Sequence, residues 1–233
     1  MASPSSGANT RPAKFSHQIP FLPLGFHCGN DFVLNVTEPI LIWGGASAVS
    51  VAAIQLAKVA GLKPIIVTAS PQNYEQLRKY GADHCINYSD DSIVERIRAI
   101  LETHGKTLRY IFDTVGIQRE GYSSPALCEE CIPSSKSNGT RFVCCVPVVG
   151  NPRWYMALAC RNIPFPNPGP NGNTVVYEAR PVWERRLMHT VLWAAREYEK
   201  AFFMPPLEVV NGAEAGLQAI KQSAAGKISF KRL

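Results

Sequence analysis

The stretch Pro39-Ile40-Leu41-Ile42-Trp43-Gly44-Gly45-Ala46-Ser47-Ala48-Val49 decides how this chain folds. Its first five residues form a short apolar run that reads as a strand buried on both faces, as in a parallel sheet. Gly44-Gly45 breaks the run. From Ser47 to Ala60, small and apolar residues recur at helical spacing (Val49, Ala53, Leu56, Ala57, Ala60), and Gly61 stops the helix. A strand that feeds a helix through a turn of small residues leaves the first helical N–H groups without intrahelical partners. Those donors and the positive end of the helix dipole stabilise a phosphate. The glycine fingerprint of such turns is GxGxxG. Counted from Gly44, this chain offers Gly44, Ala46 and Val49, so only the first glycine is kept. Two readings stay open at this point: a pyrophosphate-binding turn, and a close-packed strand–helix turn with no ligand.

The same pattern repeats further along the chain. Pro64-Ile65-Ile66-Val67-Thr68 reads as a second strand. Ser70 with Pro71 reads as a helix cap followed by proline at the first helical position, opening a helix that runs to Tyr80 and ends at Gly81. His84 to Asn87 is a third strand, and Asp90-Asp91 open a helix through Leu101. Arg109 to Asp113 is a fourth strand, Ser124 to Ile132 a weaker helix, and Arg141 to Val146 a fifth strand. Strands alternating with helices of this length predict the α/β class: a Rossmann-type doubly wound parallel sheet with helices on both faces.

The expected organisation has four parts. Residues 1–38 are an irregular, proline-containing segment, and residues 39–150 form the Rossmann core. Residues 151–182 carry Pro164, Pro166, Pro168, Gly169, Pro170 and Gly172, the composition of a lid loop. Residues 183–233 complete the fold with helices near 182–200 and 213–224 and a closing strand at Ile228-Ser229-Phe230.

Composition narrows the partners. The 233 residues are 46% hydrophobic and 18% charged, with a net charge of +6. The basic residues are scattered with no run of five, which argues against nucleic acid. No run approaches the ~18 apolar residues of a membrane span, and Met1 to Thr10 lacks the apolar core of a secretory signal. A soluble cytoplasmic protein with reduced thiols is the expectation. Cys128-Glu129-Glu130-Cys131 offers two metal ligands, and no second CxxC or HxxxH completes a site. Cys144 and Cys145 are adjacent in a predicted strand and face opposite ways. Core thiols and no metal are therefore predicted.

The end of the second strand bears on cofactor type. NAD sites place an acid there to accept from the ribose 2′-hydroxyl. Here the strand ends Val67-Thr68-Ala69-Ser70, and the first acid is Glu75. A carboxylate would repel a 2′-phosphate, whereas the Ser70 hydroxyl and the Asn73 amide would hold one. NADP(H) is the expected cofactor. Ser70 also suits plain helix capping.

Ile42 to Val49, Ala53-Ile54-Gln55-Leu56-Ala57-Lys58, Thr68 to Tyr74, Gly81-Ala82-Asp83 and Asn87-Tyr88 together resemble the zinc-independent medium-chain dehydrogenase/reductases. Within them the similarity is to the fungal trans-acting enoyl reductases of polyketide biosynthesis. Gly212 to Ala225 followed by Gly226-Lys227-Ile228-Ser229 looks like that family's ending. The resemblance implies NADP(H) contacts from Ala46, Ser47, Ala48 and Val49 at the pyrophosphate. It puts Ser70, Pro71, Gln72 and Asn73 around the 2′-phosphate, Tyr88 beside the adenosine, Cys145 and Val146 at the nicotinamide end, and Ile228 and Ser229 at a further contact. It implies reduction of a polyketide enoyl thioester, with a polyketide synthase or its acyl-carrier-bound intermediate as partner. No residue is assigned a catalytic role, and Tyr155, Tyr177 and His189 near the expected lid read as packing.

One departure sets up an alternative. The family carries a whole GroES-like catalytic domain ahead of the Rossmann unit, and only 38 residues stand there in this sequence. The catalytic domain is expected to be mostly missing, and with it one wall of the substrate cleft. A truncated non-redox relative, serving as a synthase partner or as a recruited cyclase or isomerase pocket, is the competing reading.

Overall fold

The structure, a computed structural model, describes residues 37–133, 139–148, 150–157, 162–168, 174–205 and 209–225. The apolar runs do become strands. β1 (Ile40–Trp43), β2 (Ile65–Thr68), β3 (His84–Ile86), β4 (Tyr110–Asp113), β7 (Arg141–Cys144) and β8 (Trp154–Met156) form one sheet in the order β3-β2-β1-β4-β7-β8. Every pairing in that sheet is parallel. Two short strands, β5 (Gln118–Arg119) and β6 (Tyr122–Ser123), form a small antiparallel ribbon after β4.

Alternation along each strand feeds two cores. Ile40 and Ile42 of β1, Ile65 and Val67 of β2, and Tyr110 and Phe112 of β4 face α1 (Ala48–Val59) and α2 (Tyr74–Tyr80), meeting Val51, Ile54, Leu77 and Tyr80. Leu41, Trp43, Ile66, Ile111 and Phe142 face the other way. They pack against Ile93, Val94, Ile97 and Leu101 of α3 (Ile93–Thr103) and Cys128 of α4 (Ser124–Glu130). Helices thus cover both faces, which removes both sides of the strands from water at about 1.5–3 kcal/mol per fully buried large side chain. The doubly wound parallel sheet expected from the sequence is the observed fold.

Local chemistry sets most element ends. Ser47 caps α1, its hydroxyl accepting from the Ser50 N–H at 3.0 Å. Gly61 and Gly81 follow α1 and α2 with positive φ. Ahead of α3, the Asp90 carboxylate accepts from the Ser92 N–H at 3.0 Å and the Ser92 hydroxyl at 2.7 Å, and the helix starts at Ile93 rather than at the aspartates. β7 ends at Cys144, two residues earlier than expected, although the Cys145 N–H still adds a rung to the β4 ladder by donating to Asp113 O at 3.0 Å.

Within residues 151–182, the expected lid loop, the described residues include three short strands. β8 joins the sheet as a sixth strand, held by one carboxylate. Glu129 Oε1 accepts from Trp154 Nε1 and Asn151 Nδ2, both at 2.6 Å, and Glu129 Oε2 accepts from Arg153 at 3.1 Å. Farther on, β9 (Phe165–Pro168) and β10 (Thr174–Tyr177) pair antiparallel, and Phe165 stacks on Tyr177 at 5.4 Å. Prolines are tolerated there because both strands of a two-stranded ribbon are edges. α5 (Pro181–Arg196) and α6 (Ala213–Ala224) follow near their expected places. Buried Gln55 fastens the segment after α5 to α1: its Nε2 donates to Phe203 O at 2.8 Å and its Oε1 accepts from Phe203 N at 2.7 Å. The expected closing strand at 228–230 and most of the 1–38 segment lie outside the described residues. Among the described residues no helix is long and apolar enough to cross a membrane.

His84, at the start of β3, and His104, just after α3, meet through their Nε2 atoms at 3.3 Å. Their ring centroids are 5.5 Å apart, close to the separation of two imidazoles in a head-on N–H···N bond. Burial first, and then the facing His104, hold His84 below the ordinary histidine value of 6.5, against the pull of Asp83. A depressed histidine contributes stability that is present above 6.5 and lost as pH falls through the folded-state value. Thermal melts at about pH 7.5 and about pH 5.5 should show a drop in Tm that shrinks in His84→Gln. An equal drop in both proteins would remove this pair as the cause.

Candidate functional site

Register decides where the loops meet. Trp43 is level with Thr68 on one side and Asp113 on the other, Thr68 is level with Ile86, and Asp113 with Cys144. The loops after β1, β2, β3, β4 and β7 therefore leave the sheet at one height. In open α/β sheets this carboxyl edge is the ligand-binding edge.

The turn after β1 is tied to β2. Gly44 N–H donates to Thr68 Oγ1 at 3.1 Å, and Gly45 N–H donates to Thr68 O at 2.7 Å. Gly44 has φ +84°, and a Cβ on it would stand 2.8 Å from Val115 Cγ1. A Cβ on Gly45 would run into Val67 and Leu77. Both glycines are thus demanded by packing within the protein, not by a ligand's approach from outside. Among the described residues, the N–H groups of Ala46, Ala48 and Val49 have no hydrogen-bond acceptor. They lie at the dipole-positive tip of a 12-residue helix and can hold an anionic group such as a phosphate.

The position that must be small next to the strands is Ser50, which the fingerprint count from Gly44 missed. Val49, taken for the third fingerprint position, is 47% exposed, whereas Ser50 is fully buried. Ser50 Oγ lies 2.6 Å from Gly44 O, 2.5 Å from Ser47 Oγ and 2.8 Å from Thr114 Oγ1. Thr114 Oγ1 in turn donates to Trp43 O at 2.8 Å. A hydroxyl cluster therefore locks the tip of α1 to the ends of β1 and β4. The polar residues at i+3 from the cap and directly after a strand ending in Asp were the available signal.

The loop after β2 does not form the simple cap expected. Pro71–Asn73 make one 3-10 turn before α2, and the Ser70 hydroxyl caps nothing; it reaches Tyr88 Oη at 3.5 Å. Asn73 is buried, while Pro71 and Gln72 are exposed and Ser70 half-buried. Tyr88 and the loop after β3 face the loop after β4 across a cavity of about 410 Å³, lined among others by Asp91, Ile93, Ile117, Arg119 and Tyr122. Asp90, beside it, is engaged by Ser92 and by Arg96 at 2.5 Å, which hold its carboxyl down at about 2. A cavity of about 480 Å³ at the amino ends of the strands, lined by Glu38, Lys106 and Arg109, contains none of the expected site residues.

Cys145 and Val146 stand at the far end of the row, and a Cβ on Gly116 would strike Val146 and Cys144. Burial pushes the Cys145 thiol up and the Cys144 thiol up to about 12, so both are protonated at neutral pH and neither is poised as a nucleophile. Burial in and beside α4 likewise raises Cys131 to about 12 and pushes the Cys128 thiol well up. Among the described residues no three His, Cys, Asp or Glu side chains gather as a metal site would require. Ile228 and Ser229 lie outside the described residues. The remaining expected residues, Ala46 to Val49, Ser70 to Asn73, Tyr88, Cys145 and Val146, all follow strand ends on the same edge.

Sheet order, carboxyl-edge loops and a capped helix tip define a Rossmann-type unit of the nucleotide-binding kind. Residues 48–152 match the family model described as zinc-binding dehydrogenase. Among relatives, the trans-enoyl reductase ACTTS2 of Alternaria alternata is 34% identical over 121 residues, covering 52% of this chain and 32% of that protein. The trans-enoyl reductase grgB of a Penicillium species is 30% identical over 230 residues, covering 93% of this chain and 59% of that protein. A crystal structure of a probable oxidoreductase from Mycobacterium abscessus superposes with a TM-score of 0.54 at 18% identity, over 91% of this chain and 58% of the other, a likeness of fold. By these matches the chain is similar to the zinc-binding dehydrogenase family and, within its relatives, to fungal trans-enoyl reductases. It spans between a third and three-fifths of the length of these relatives.

The turn makes a stability prediction with its own control. Gly45→Ala forces a methyl into Val67 and should cost about 1–3 kcal/mol. Gly216, inside α6 with nothing near its absent Cβ, should gain roughly 0.5–1 kcal/mol on Gly216→Ala. Chemical denaturation of both variants checks this, and a neutral Gly45→Ala would mean the turn is not close-packed.

Proposed function

We propose that the chain binds NADPH along the carboxyl edge of its sheet and acts as an NADPH-dependent enoyl reductase on a polyketide enoyl thioester presented by a polyketide synthase. The observation that carries this reading is the α1 tip, where the Ala46, Ala48 and Val49 N–H groups have no protein acceptor among the described residues. That donor set suits a diphosphate and would be poorly used by a neutral ligand. The relatives' names, trans-enoyl reductases of fungi, supply the reaction class.

The residues divide the work of holding the cofactor. The α1 tip would take the pyrophosphate, and the ring of Tyr88, with the Ile117 and Tyr122 wall of the 410 Å³ cavity, would take the adenosine. Ser70 and Gln72 would flank the 2′-phosphate at an edge where β2 ends without a carboxylate. Cys145 and Val146 would bound the nicotinamide end, where a neutral thiol and an apolar side chain keep water away from the reacting carbon. Bound NADPH supplies the hydride for the β-carbon of the enoyl thioester, and the protein's part is to orient and shield it. Residues 151–182, with β8 and the β9–β10 ribbon, are the segment we assign to the acyl side.

Two measurements test the proposal. NADPH titrated against the intact chain, followed by nucleotide fluorescence, should show micromolar binding, and an enoyl thioester should then drive NADPH oxidation. Binding without turnover on any acyl chain would favour the non-redox reading, and no binding would end both the cofactor and the reductase assignments. Ser70→Asp should weaken NADPH by roughly tenfold or more while affecting NADH far less, since a new carboxylate repels the 2′-phosphate alone. Equal losses for the two nucleotides would move the 2′-phosphate elsewhere.

A further inference from the structure

The loop after β4 touches both halves of the nucleotide edge. Val115 packs on Gly44 in the turn after β1, and Gly116 packs under Val146 in the turn after β7. Ile117, Arg119 and Tyr122 then form one wall of the cavity that faces Tyr88. Whatever sets the position of residues 115–117 therefore sets the spacing between the α1 tip, the Cys145–Val146 turn and the adenosine cavity.

That position is set by one carboxylate. Asp113, the last residue of β4, is 0% exposed. Its Oδ1 accepts from the Val115 N–H at 3.0 Å and the Gly116 N–H at 2.9 Å, and its Oδ2 accepts from the Ser124 hydroxyl at 2.6 Å. Ser124 Oγ also accepts from the Ile117 N–H at 2.9 Å, and the Ser124 N–H donates to Ile117 O at 2.9 Å. Three consecutive loop amides are thus held by the Asp113–Ser124 pair. Gly116, at φ +58°, supplies the left-handed residue that this tight wrap requires.

Hydrogen counting shows which form of Asp113 does this. All three of its partners are donors, so the ionised carboxylate satisfies every one of them, and the Ser124 hydroxyl is then a donor to Asp113 and an acceptor from Ile117. A proton on Oδ2 would turn Ser124 into a double acceptor and leave its own hydrogen without a partner. No lysine or arginine among the described residues forms an ion pair with Asp113. The titratable groups around it, Tyr122 of β6, Cys128 of α4, Cys144 of β7 and Cys145, are themselves buried or half-buried and neutral. Removal from water pushes its carboxyl up, while the Gly116, Ser124 and Val115 donors pull it back.

We infer that Asp113 and Ser124 are positioning residues for the nucleotide site: the carboxylate–hydroxyl pair clamps residues 115–117 so that the pyrophosphate tip and the cavity wall stand at the spacing a dinucleotide needs. The inference rests on the proposed NADPH site. It assigns affinity to a buried pair that touches no ligand, and it makes that affinity sensitive to acid. Asp113→Asn keeps the volume and the Oδ1 acceptor but puts a donor against Ser124. Ser124→Ala removes the hydroxyl and leaves Asp113 ionisable.

The experiment is an NADPH titration of the intact wild-type chain and of both variants at neutral and progressively lower pH, with tryptic cleavage after Arg119 followed in parallel. Arg119 lies in the clamped loop on an exposed strand. Wild-type affinity should fall on acidification, and Asp113→Asn should bind about tenfold more weakly with a flatter pH profile. Ser124→Ala should weaken binding while keeping the acid dependence, and both variants should be cut faster after Arg119 with cleavage elsewhere unchanged. Wild-type affinity retained in both variants overturns the inference and leaves the NADPH reading standing. Faster cleavage everywhere also overturns it, because the pair would then serve global stability. A wild-type chain that ignores NADPH overturns the cofactor reading itself, and the positioning role with it.

Discussion

The in-register parallel pairing of β1 with β2 on one side and β4 on the other is the constraint on which the rest depends. Trp43, Thr68 and Asp113 form one row across the sheet, and Ile86 and Cys144 extend it on either side. Because the side-chain period of a strand is two, this row also sorts the residues behind it between the two cores. A slip of one residue at β1 would turn Ile40 and Ile42 toward α3 and Leu41 and Trp43 toward α1, and would lift the Gly44 turn out of reach of Thr68. Fold and site are therefore specified by the same hydrogen bonds.

The turn after β1 shows how a departure from a motif is absorbed. In the usual fingerprint, glycines allow both the turn and the close helix–strand approach. Here Gly44 and Gly45 serve the turn and its packing against Val115 and Val67. The close approach is made by Ser50, whose hydroxyl has somewhere to go because Gly44 O, Ser47 and Thr114 surround it. A buried hydroxyl with satisfied partners costs little, whereas an unsatisfied one costs about 1–3 kcal/mol. The substitution is tolerable only together with Thr114, which links the first and fourth strands chemically as well as by register.

The sequence made the core strands legible because each is a short apolar run bounded by glycine, proline or a capping residue. At the first crossover only one glycine of the fingerprint is kept, so the turn pointed to a phosphate site through its place between a buried strand and a small-residue helix rather than through the motif itself. What the sequence hid depends on partners distant along the chain. β8 pairs with β7 and is anchored by Glu129, more than twenty residues earlier, and its own run Trp154-Tyr155-Met156 is too short to stand out as a strand. The β9–β10 ribbon carries prolines that usually argue against a strand, and only the edge position of both strands makes them harmless. Ser50 was overlooked because a count from Gly44 lands on Val49, and burial, not spacing, tells the two apart. Asp113 reads in the sequence as an ordinary strand end, and nothing before the structure says that its carboxylate closes on two amides and a serine.

Binding a nucleotide and turning over a substrate make different demands on this architecture. Binding needs donors, an apolar slot and a fixed spacing, and the proposed site draws all three from loops that leave one sheet edge at a common height. Turnover also needs the acyl chain aligned and water kept from the hydride path, which requires a surface opposite the nicotinamide end. On the described surface, Cys145 and Val146 offer one side of such a slot, with Val146 37% exposed. The segment that follows them runs through β8, whose Trp154 is anchored by Glu129 of α4, the helix that also begins with Ser124. The clamp on the β4 loop and the anchor of β8 thus share one short helix, so displacement of α4 would move both together, and with them the two sides of the proposed site.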